Sequence, residues 1–345
     1  MITYIIQTEH ISEKGEIILK IAAFEVRPDE KASFARWARE YHAEIAEYSE
    51  VPSLANTDLV YGCEGVTILG QGKIDRELLT EYKKLGVKCI STRTIGSDHI
   101  DLNAAKELGF HVCNANYAPD GVADFTIMMI LMCLRQYKQA FWRGYVNDFS
   151  LAGLQGRNLC AMTVGVMGTG RIGQQVIRDL RGFGCRILAY DVYQNAEVAE
   201  MAEYVDLDTL YRESDIITLH MPLLPTTHHV INHESIAKMK KGVILVNCAR
   251  GGLTDTEALI DGIESMQIGA LGMDTAEGEE GIIHCDRRSD IIANRNWFYL
   301  HQFRNVIMTQ HMAFYTEQAV DSMVQCGIEG IVKMTEEGAY PTMLA

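Results

Sequence analysis

What the 345-residue chain lacks narrows its roles before any motif is considered. It has no stripe of basic residues: 31 Lys and Arg stand against 46 Asp and Glu, and the net charge of −15 is spread along the chain. That argues against nucleic acid or an anionic membrane as the main partner, and an anionic small molecule has to be captured by a local positive group. There is no C-x-x-C pair and no metal-ligand spacing; nine cysteines stand singly, at 63, 89, 113, 133, 160, 185, 248, 285 and 326. Dispersed thiols inside apolar runs point to reduced core cysteines and a cytoplasmic protein, not to a disulfide framework or a metal centre. The opening MITYIIQTEHISEKGE has neither a basic start nor a long apolar core, so it does not read as a signal peptide. The most apolar run, 127–134, is much too short to cross a bilayer. Internal repeats and low-complexity segments are absent as well.

What is present is organised around residues 163–191, TVGVMGTGRIGQQVIRDLRGFGCRILAYD. A short β-branched run at 163–167 leads into Gly168, Gly170 and Gly173, in G-x-G-x-x-G spacing at the start of an amphipathic helix, and a second strand at 186–190 ends on Asp191. Gly168 permits a turn too tight for a side chain, Gly170 lets backbone N–H groups approach a pyrophosphate, and Gly173 lets the helix lie close on the sheet. The helix N-terminus adds unpaired donors and a positive dipole end. Asp191 can accept both ribose hydroxyls of an adenosine and repels a 2′-phosphate, while Val192 and Tyr193 bring no positive charge, so NAD is expected over NADP.

Length and a 48% apolar composition suit about two domains with buried cores. Strand patterns at 17–26, 43–48, 59–61, 66–68, 88–91 and 111–114 alternate with helical ones within 27–41, 76–85 and 101–108. The alternation predicts an α/β architecture with parallel sheets and helices on both faces. Residues before Ile17 stand apart as an extension. The loop TRTIGSD, 92–98, can offer main-chain donors at Thr94, Ile95 and Gly96 to a ligand, although by itself it reads at least as well as an ordinary strand-to-helix turn. Tyr117-Ala118-Pro119-Asp120 is turn chemistry before a single long apolar helix over 122–137, the first crossing between domains; its Met128, Met129 and Met132 read as core or subunit interface. Beyond Asp191, strands at 215–219, 243–247, 270–273 and 305–309 end on His220-Met221-Pro222, Cys248-Ala249-Arg250, Asp274 and Gln310-His311. Four successive strands thus deliver polar residues to one rim, the mark of a catalytic cleft. A last helix, 317–333, can return to the first domain and make it discontinuous.

A nicotinamide enzyme acting on a small acid needs a cation for the carboxylate and an acid–base group at the carbonyl oxygen. Arg250 can supply the first through a bidentate pair. Among eleven histidines, His311 stands out because it follows a strand and sits beside Phe314-Tyr315, which can wall an apolar pocket together with Leu69 and Tyr117. Glu279 can hydrogen-bond that imidazole and keep it protonated for donation. By spacing alone, though, Glu277, Glu279 and Glu280 read as a solvated acidic loop. The adjacent His228 and His229 cannot share a helix face and read as surface residues, not metal ligands; no metal is expected.

The stretches STRTIGSDHID, NANYAPDGVADFTIMMIL, the glycine fingerprint, DIITLHMPL, GVILVNCARGG, GMDTAEGEEG and HMAFYTEQA are highly specific together. Through them the chain, from about 17 to 333, resembles the D-isomer-specific 2-hydroxyacid dehydrogenase family, in particular its D-lactate dehydrogenase branch with the vancomycin-resistance members. The resemblance implies two Rossmann-like doubly wound domains with a cleft between them: 1–116 with 317–345 for substrate, 117–316 for NAD. It places catalysis on Arg250, Glu279 and His311. Cofactor contacts fall on Arg171, Ile172, Asp191, Met221, Pro222, Cys248, Arg250 and Asp274 beside the three glycines, and substrate contacts on Ile95, Gly96, Tyr117, Arg250 and Phe314. It further implies reduction of a 2-oxo acid by hydride from NADH, with a proton from His311 and a D-2-hydroxy acid as product. Pyruvate is the first substrate, bulkier branched or aromatic 2-oxo acids are the alternative, and the assembly is a homodimer built on the apolar helix region. An NADH-sensing corepressor is the reading from another class. Two departures stand out: Gln310 replaces the proline usual before the histidine, and the extension before Ile17 has no counterpart.

Overall fold

In the computed structural model, which describes residues 19–345, the apolar runs form twelve strands, every pair of which is parallel. The expected extension before Ile17 and the first residues of the 17–26 strand lie outside the described residues. The chain divides into two units: one reaches to Ala118 and resumes over Thr316–Ala345, the other is Pro119–Tyr315.

The first unit holds β1 (Leu19–Ala23), β2 (Ala43–Glu47), β3 (Gly65–Ile68), β4 (Cys89–Thr92) and β5 (His111–Asn114), in the order β2-β1-β3-β4-β5. β3 and β4 are buried along their whole length, Thr67, Ser91 and Thr92 included, so neither alternates between buried and exposed positions. Helices Arg76–Lys84 and Leu102–Glu107 cover one face through Leu78, Leu79, Tyr82, Ala104 and Ala105. Helix Lys31–Glu40 covers the other face with Phe34, and helix Glu317–Glu336 joins it there with Val324, Ile328 and Ile331. Side-chain caps start three of these helices: Asp75 accepts from the Leu78 N–H, Asp101 from Ala104 and Thr316 from Ala319. The strand expected at 59–61 is instead part of a 3₁₀ segment, Leu54–Val60. There Asn56 Oδ1 takes the Ser53 N–H at 2.8 Å, local side-chain bonding that displaces a ladder.

The free edge of β5 is covered by the chain's own last residues. Leu344 N donates to Val112 O at 2.7 Å, Val112 N to Ala345 O at 2.9 Å, and Thr342 Oγ1 to Asn114 O at 2.6 Å. An exposed edge would otherwise be a template for pairing with another chain.

Two buried carboxylates tie together the loops at the carboxyl ends of β1, β3 and β4. Glu25, in the left-handed region at φ +58°, accepts from the N–H groups of Leu69, Gly70, Gln71 and Gly72. Glu30 stands at the start of helix Lys31–Glu40 but turns inward, taking the Arg27 N–H at 2.9 Å and Arg93 Nε at 3.1 Å. Arg93 also donates to Phe24 O at 2.9 Å and lies over the Phe34 ring.

The second unit holds β6 (Thr163–Met167), β7 (Arg186–Tyr190), β8 (Glu203–Tyr204), β9 (Ile216–Leu219), β10 (Val243–Asn247), β11 (Ile268–Met273) and β12 (Val306–Met308). Their order is β12-β11-β10-β9-β6-β7-β8, so the sheet grows outward in both directions from β6 and reverses between β6 and β9. Such a switch point leaves a crevice beyond the strand ends, where ligands bind in open α/β sheets. The helix expected over 122–137 is two helices, Asp120–Leu134 and Tyr137–Tyr145, broken at Gln136 with φ +52°. The Leu134 carbonyl, released from the helix, accepts the Arg157 N–H at 3.2 Å. Of the methionines there, Met129 is fully buried whereas Met128 faces outward.

Removing one partner of the Glu30–Arg93 pair, both 0% exposed, leaves a buried charge without its counterion. Glu30→Ala is expected to cost about 3–5 kcal/mol. Removing Glu107, whose bridge to Arg76 is exposed, should cost about 1 kcal/mol at most. Urea unfolding of the two variants checks this; equal midpoints would show that Arg93 does not depend on Glu30.

Candidate active site

The turn after β6 is built by contact distances that only glycine allows. Gly168 has φ +94°, and a Cβ on it would stand 2.6 Å from the His220 carbonyl carbon and 2.7 Å from Met221 N. A Cβ on Gly173 would stand 2.0 Å from the Gly168 carbonyl oxygen, so helix Arg171–Arg181 can start against the turn only because that residue has none. Gly170, the helix's N-cap, has open space where its Cβ would be. A phosphate can approach main-chain N–H groups there. Arg171 is exposed and Ile172 half-buried on the first turn. Asp191, just past β7, accepts the Thr169 N–H at 2.6 Å through Oδ2 and the Tyr193 N–H at 3.1 Å through Oδ1. A cradle of this shape with a carboxylate at the next strand end fits a dinucleotide.

The loop after β9 carries His220, Met221 and Pro222. Burial pushes the His220 imidazole down to about 3, and its Nε2 lies 2.9 Å from Thr218 Oγ1. It is therefore neutral at working pH and unsuited to giving a proton. After β10, Cys248 is buried, which raises its thiol, and Asn247 closes the turn that presents Arg250: its Nδ2 donates to Arg250 O at 2.8 Å and its Oδ1 accepts the Ala249 N–H at 3.0 Å. Arg250 itself is half-buried, with Nη1 on the Ala249 carbonyl at 2.8 Å.

Asp274, 1% exposed at the end of β11, fastens the loop that follows β12. Its carboxylate accepts from Thr309 Oγ1 at 2.6 Å, Met312 N at 2.9 Å and Ala313 N at 2.8 Å. Glu279 takes the Ala276 N–H at 2.8 Å on one oxygen and meets His311 Nδ1 at 2.7 Å on the other. His311 sits at φ +53°, a conformation rare outside glycine and asparagine, and its carbonyl lies 3.1 Å from His284 Nε2. The rings of His284 and Phe314 flank it at 6.1 and 6.4 Å.

One sequence-based expectation changes here. The run Glu277, Glu279, Glu280 is not simply a solvated loop, because Glu279 pairs with His311 and Glu277 with His229 at 2.7 Å. His228 is exposed and His229 half-buried, in keeping with their reading as surface residues, and with Glu277 they form one cluster. Ile95, Gly96 and Tyr117 belong to the first unit, where Asn114 Nδ2 holds the Ile95 carbonyl at 2.6 Å and Thr94 Oγ1 the Gly96 carbonyl at 2.6 Å. Asn247, Thr309 and His284 escaped sequence reasoning. Asn247 and Thr309 left a trace, each as the polar residue closing an expected apolar strand, whereas His284 left none.

A family model described as D-isomer specific 2-hydroxyacid dehydrogenase, NAD binding domain, matches residues 127–313. Over 324 residues, 93% of this chain and 97% of the relative, the sequence is 41% identical to an aromatic 2-oxoacid reductase of Clostridium sporogenes. It is 36% identical to the D-lactate dehydrogenase of Escherichia coli over 94% of this chain and 100% of that one. Among solved structures, the NAD-complexed D-isomer specific 2-hydroxyacid dehydrogenase of Lactobacillus delbrueckii ssp. bulgaricus is similar with a TM-score of 0.81 and 31% identity, over 94% of this chain and 100% of that one.

The desolvated imidazole of half-buried His220 makes stability depend on acid. Unfolded, the imidazole titrates near 6.5; folded, near 3, so between these values the unfolded chain holds the extra proton and stability falls as pH falls. In His220→Gln the slope of unfolding free energy against pH across this window should be shallower by about one proton. An unchanged slope in urea titrations would mean that His220 is not a neutral buried group.

Proposed function

Since the chain belongs to the D-isomer-specific 2-hydroxyacid dehydrogenase family and is an NAD-dependent oxidoreductase of D-2-hydroxy acids, we propose that it reduces pyruvate to D-lactate with His311 as the proton donor. The observation that carries this reading is the Glu279–His311 pair at 2.7 Å. Glu279 fixes the imidazole through Nδ1 and balances the charge of the protonated ring, leaving Nε2 as the nitrogen that gives its proton to the substrate's carbonyl oxygen. Arg250 grips the carboxylate as a planar guanidinium, which orients one face of the carbonyl and polarises it. Bound NADH supplies the hydride. The glycine turn, Arg171, Ile172, Met221, Pro222 and Cys248 are the proposed cofactor contacts, with Asp191 on the ribose. Arg250 and Asp274 are proposed cofactor contacts as well, and the Asp274 carboxylate, engaged by the 309–313 loop, also places His311. Ile95, Gly96, Tyr117 and Phe314 are the proposed substrate contacts.

A second reading, an aromatic 2-oxo acid as substrate, is favoured by the higher identity to the Clostridium reductase, 41% against 36% for the Escherichia enzyme. The proposed assembly is a homodimer. Its support is the apolar outer face of helices Asp120–Leu134 and Tyr137–Tyr145, where Met128, Phe141 and Trp142 are 40, 50 and 69% exposed. The proposed location is the cytoplasm, supported by nine cysteines that are all unpaired thiols. Among the described residues no helix is long and apolar enough to cross a membrane.

Initial rates over a panel of 2-oxo acids from glyoxylate to phenylpyruvate, with NADH and NADPH, test the substrate. Pyruvate with NADH should give the highest kcat/KM, and phenylpyruvate in first place would install the second reading. His311→Gln should lower kcat by about 10²–10⁴-fold at nearly constant KM. Arg250→Ala should chiefly raise KM for the 2-oxo acid. An unchanged kcat in the histidine variant would remove His311 from the mechanism.

A further inference from the structure

Away from the Glu279–His311 pair, the loop after β9 and the loop after β11 bring a second set of titratable side chains together. His229 Nε2 lies 2.7 Å from Glu277 Oε1, and the His228 ring stacks on that of His229 with centroids 3.8 Å apart. One ligand-type atom from each of the three residues falls within 4.8 Å of the others; among the described residues this is the one such group of three. Neither His229 nor Glu277 is loosely placed. His229 has φ +50°, donates its N–H to Gly252 O at 2.9 Å and accepts Asn232 Nδ2 on its carbonyl at 2.9 Å. Glu277 receives Thr256 Oγ1 on its other oxygen at 3.1 Å.

We propose that His228, His229 and Glu277 form a site for a divalent transition ion of the zinc class, distinct from the groups proposed for hydride and proton transfer. Two imidazoles and a carboxylate are the donor set that such ions take, with water in the fourth position. The hydroxyl on the second carboxylate oxygen and the backbone anchors on His229 are the outer-shell supports that orient metal ligands. Bonds of about 2.1 Å in a tetrahedron put ligand atoms roughly 3.4 Å apart. The His229–Glu277 hydrogen bond therefore opens by about 0.7 Å as the ion replaces its proton, and the exposed His228 swings inward. The ion would lock the β9 loop to the loop that also carries Glu279. A Cβ on Gly251, next to Arg250, would stand 2.4 Å from Glu277 N, so the fastening lies against the turn that presents the arginine.

The test uses the full chain, freed of metal with a chelator and titrated with Co²⁺ and with Zn²⁺. Expected are one Co²⁺ per chain with a visible d–d band, displacement of that band by Zn²⁺, and a higher Tm with the ion bound. Glu277→Gln and the double variant His228→Ala/His229→Ala should each weaken binding by about 100-fold or more, beyond the usual loss from outer-shell changes. His228→Gln, which alters only an exposed side chain, should weaken it while leaving chelator-treated NADH oxidation unchanged. His233→Ala, which removes a neighbouring histidine paired with Asp261, should bind as the parent does. Absence of a saturable Co²⁺ band in the parent, or undiminished binding in the double variant, would reduce the cluster to an ordinary His–Glu pair and overturn the proposal.

Discussion

The second unit depends on a backbone that would not hold itself. His311 sits in the left-handed region without being glycine, at a cost of order 1–3 kcal/mol that persists only where the surroundings over-determine it. Two carboxylates from the far end of β11 do so. Asp274 clamps the chain on both sides of the histidine, and Glu279 fixes its ring. Gln310 leaves the approach to His311 without the restraint on φ that a proline there would bring, so the clamp has more to impose. The proposed proton donor is thus held by carboxylates at and beyond the end of the adjacent strand β11 and not by its own segment.

The first unit solves the same problem with different residues. Its sheet also reverses direction, next to β1, and the loops beyond β1, β3 and β4 are pinned by Glu25 and by the Glu30–Arg93 pair. In both units, acids that look like surface residues in the sequence face inward and hold main-chain N–H groups or a buried guanidinium. A buried carboxylate is tolerable when donors surround it, and these have two to four each.

That pattern explains what could and could not be read from the sequence. The glycine turn was legible because each of its positions has a local steric reason. The rim of ligand-type residues was legible because four apolar runs ended on polar ones. The break at Gln136 was not, since the group that takes the Leu134 carbonyl, the Arg157 N–H, comes from 23 residues further on. Helix Tyr137–Tyr145 buries no side chain. The acidic stretch after β11 looked solvated because Glu277 and Glu279 find their histidines 48 and 32 residues away, and pairings at that range leave no mark on neighbouring positions.

The closing helix Glu317–Glu336 and the strip laid along β5 have a temporal consequence. Everything the second unit needs has been synthesised by Tyr315, whereas the first unit has only helix Lys31–Glu40 on one face of its sheet, and β5 bare along its border, until residues 316–345 are made. The half synthesised first is therefore the half that matures last, with the face that holds Ile21, Cys89 and Cys113 only partly covered until helix Glu317–Glu336 arrives.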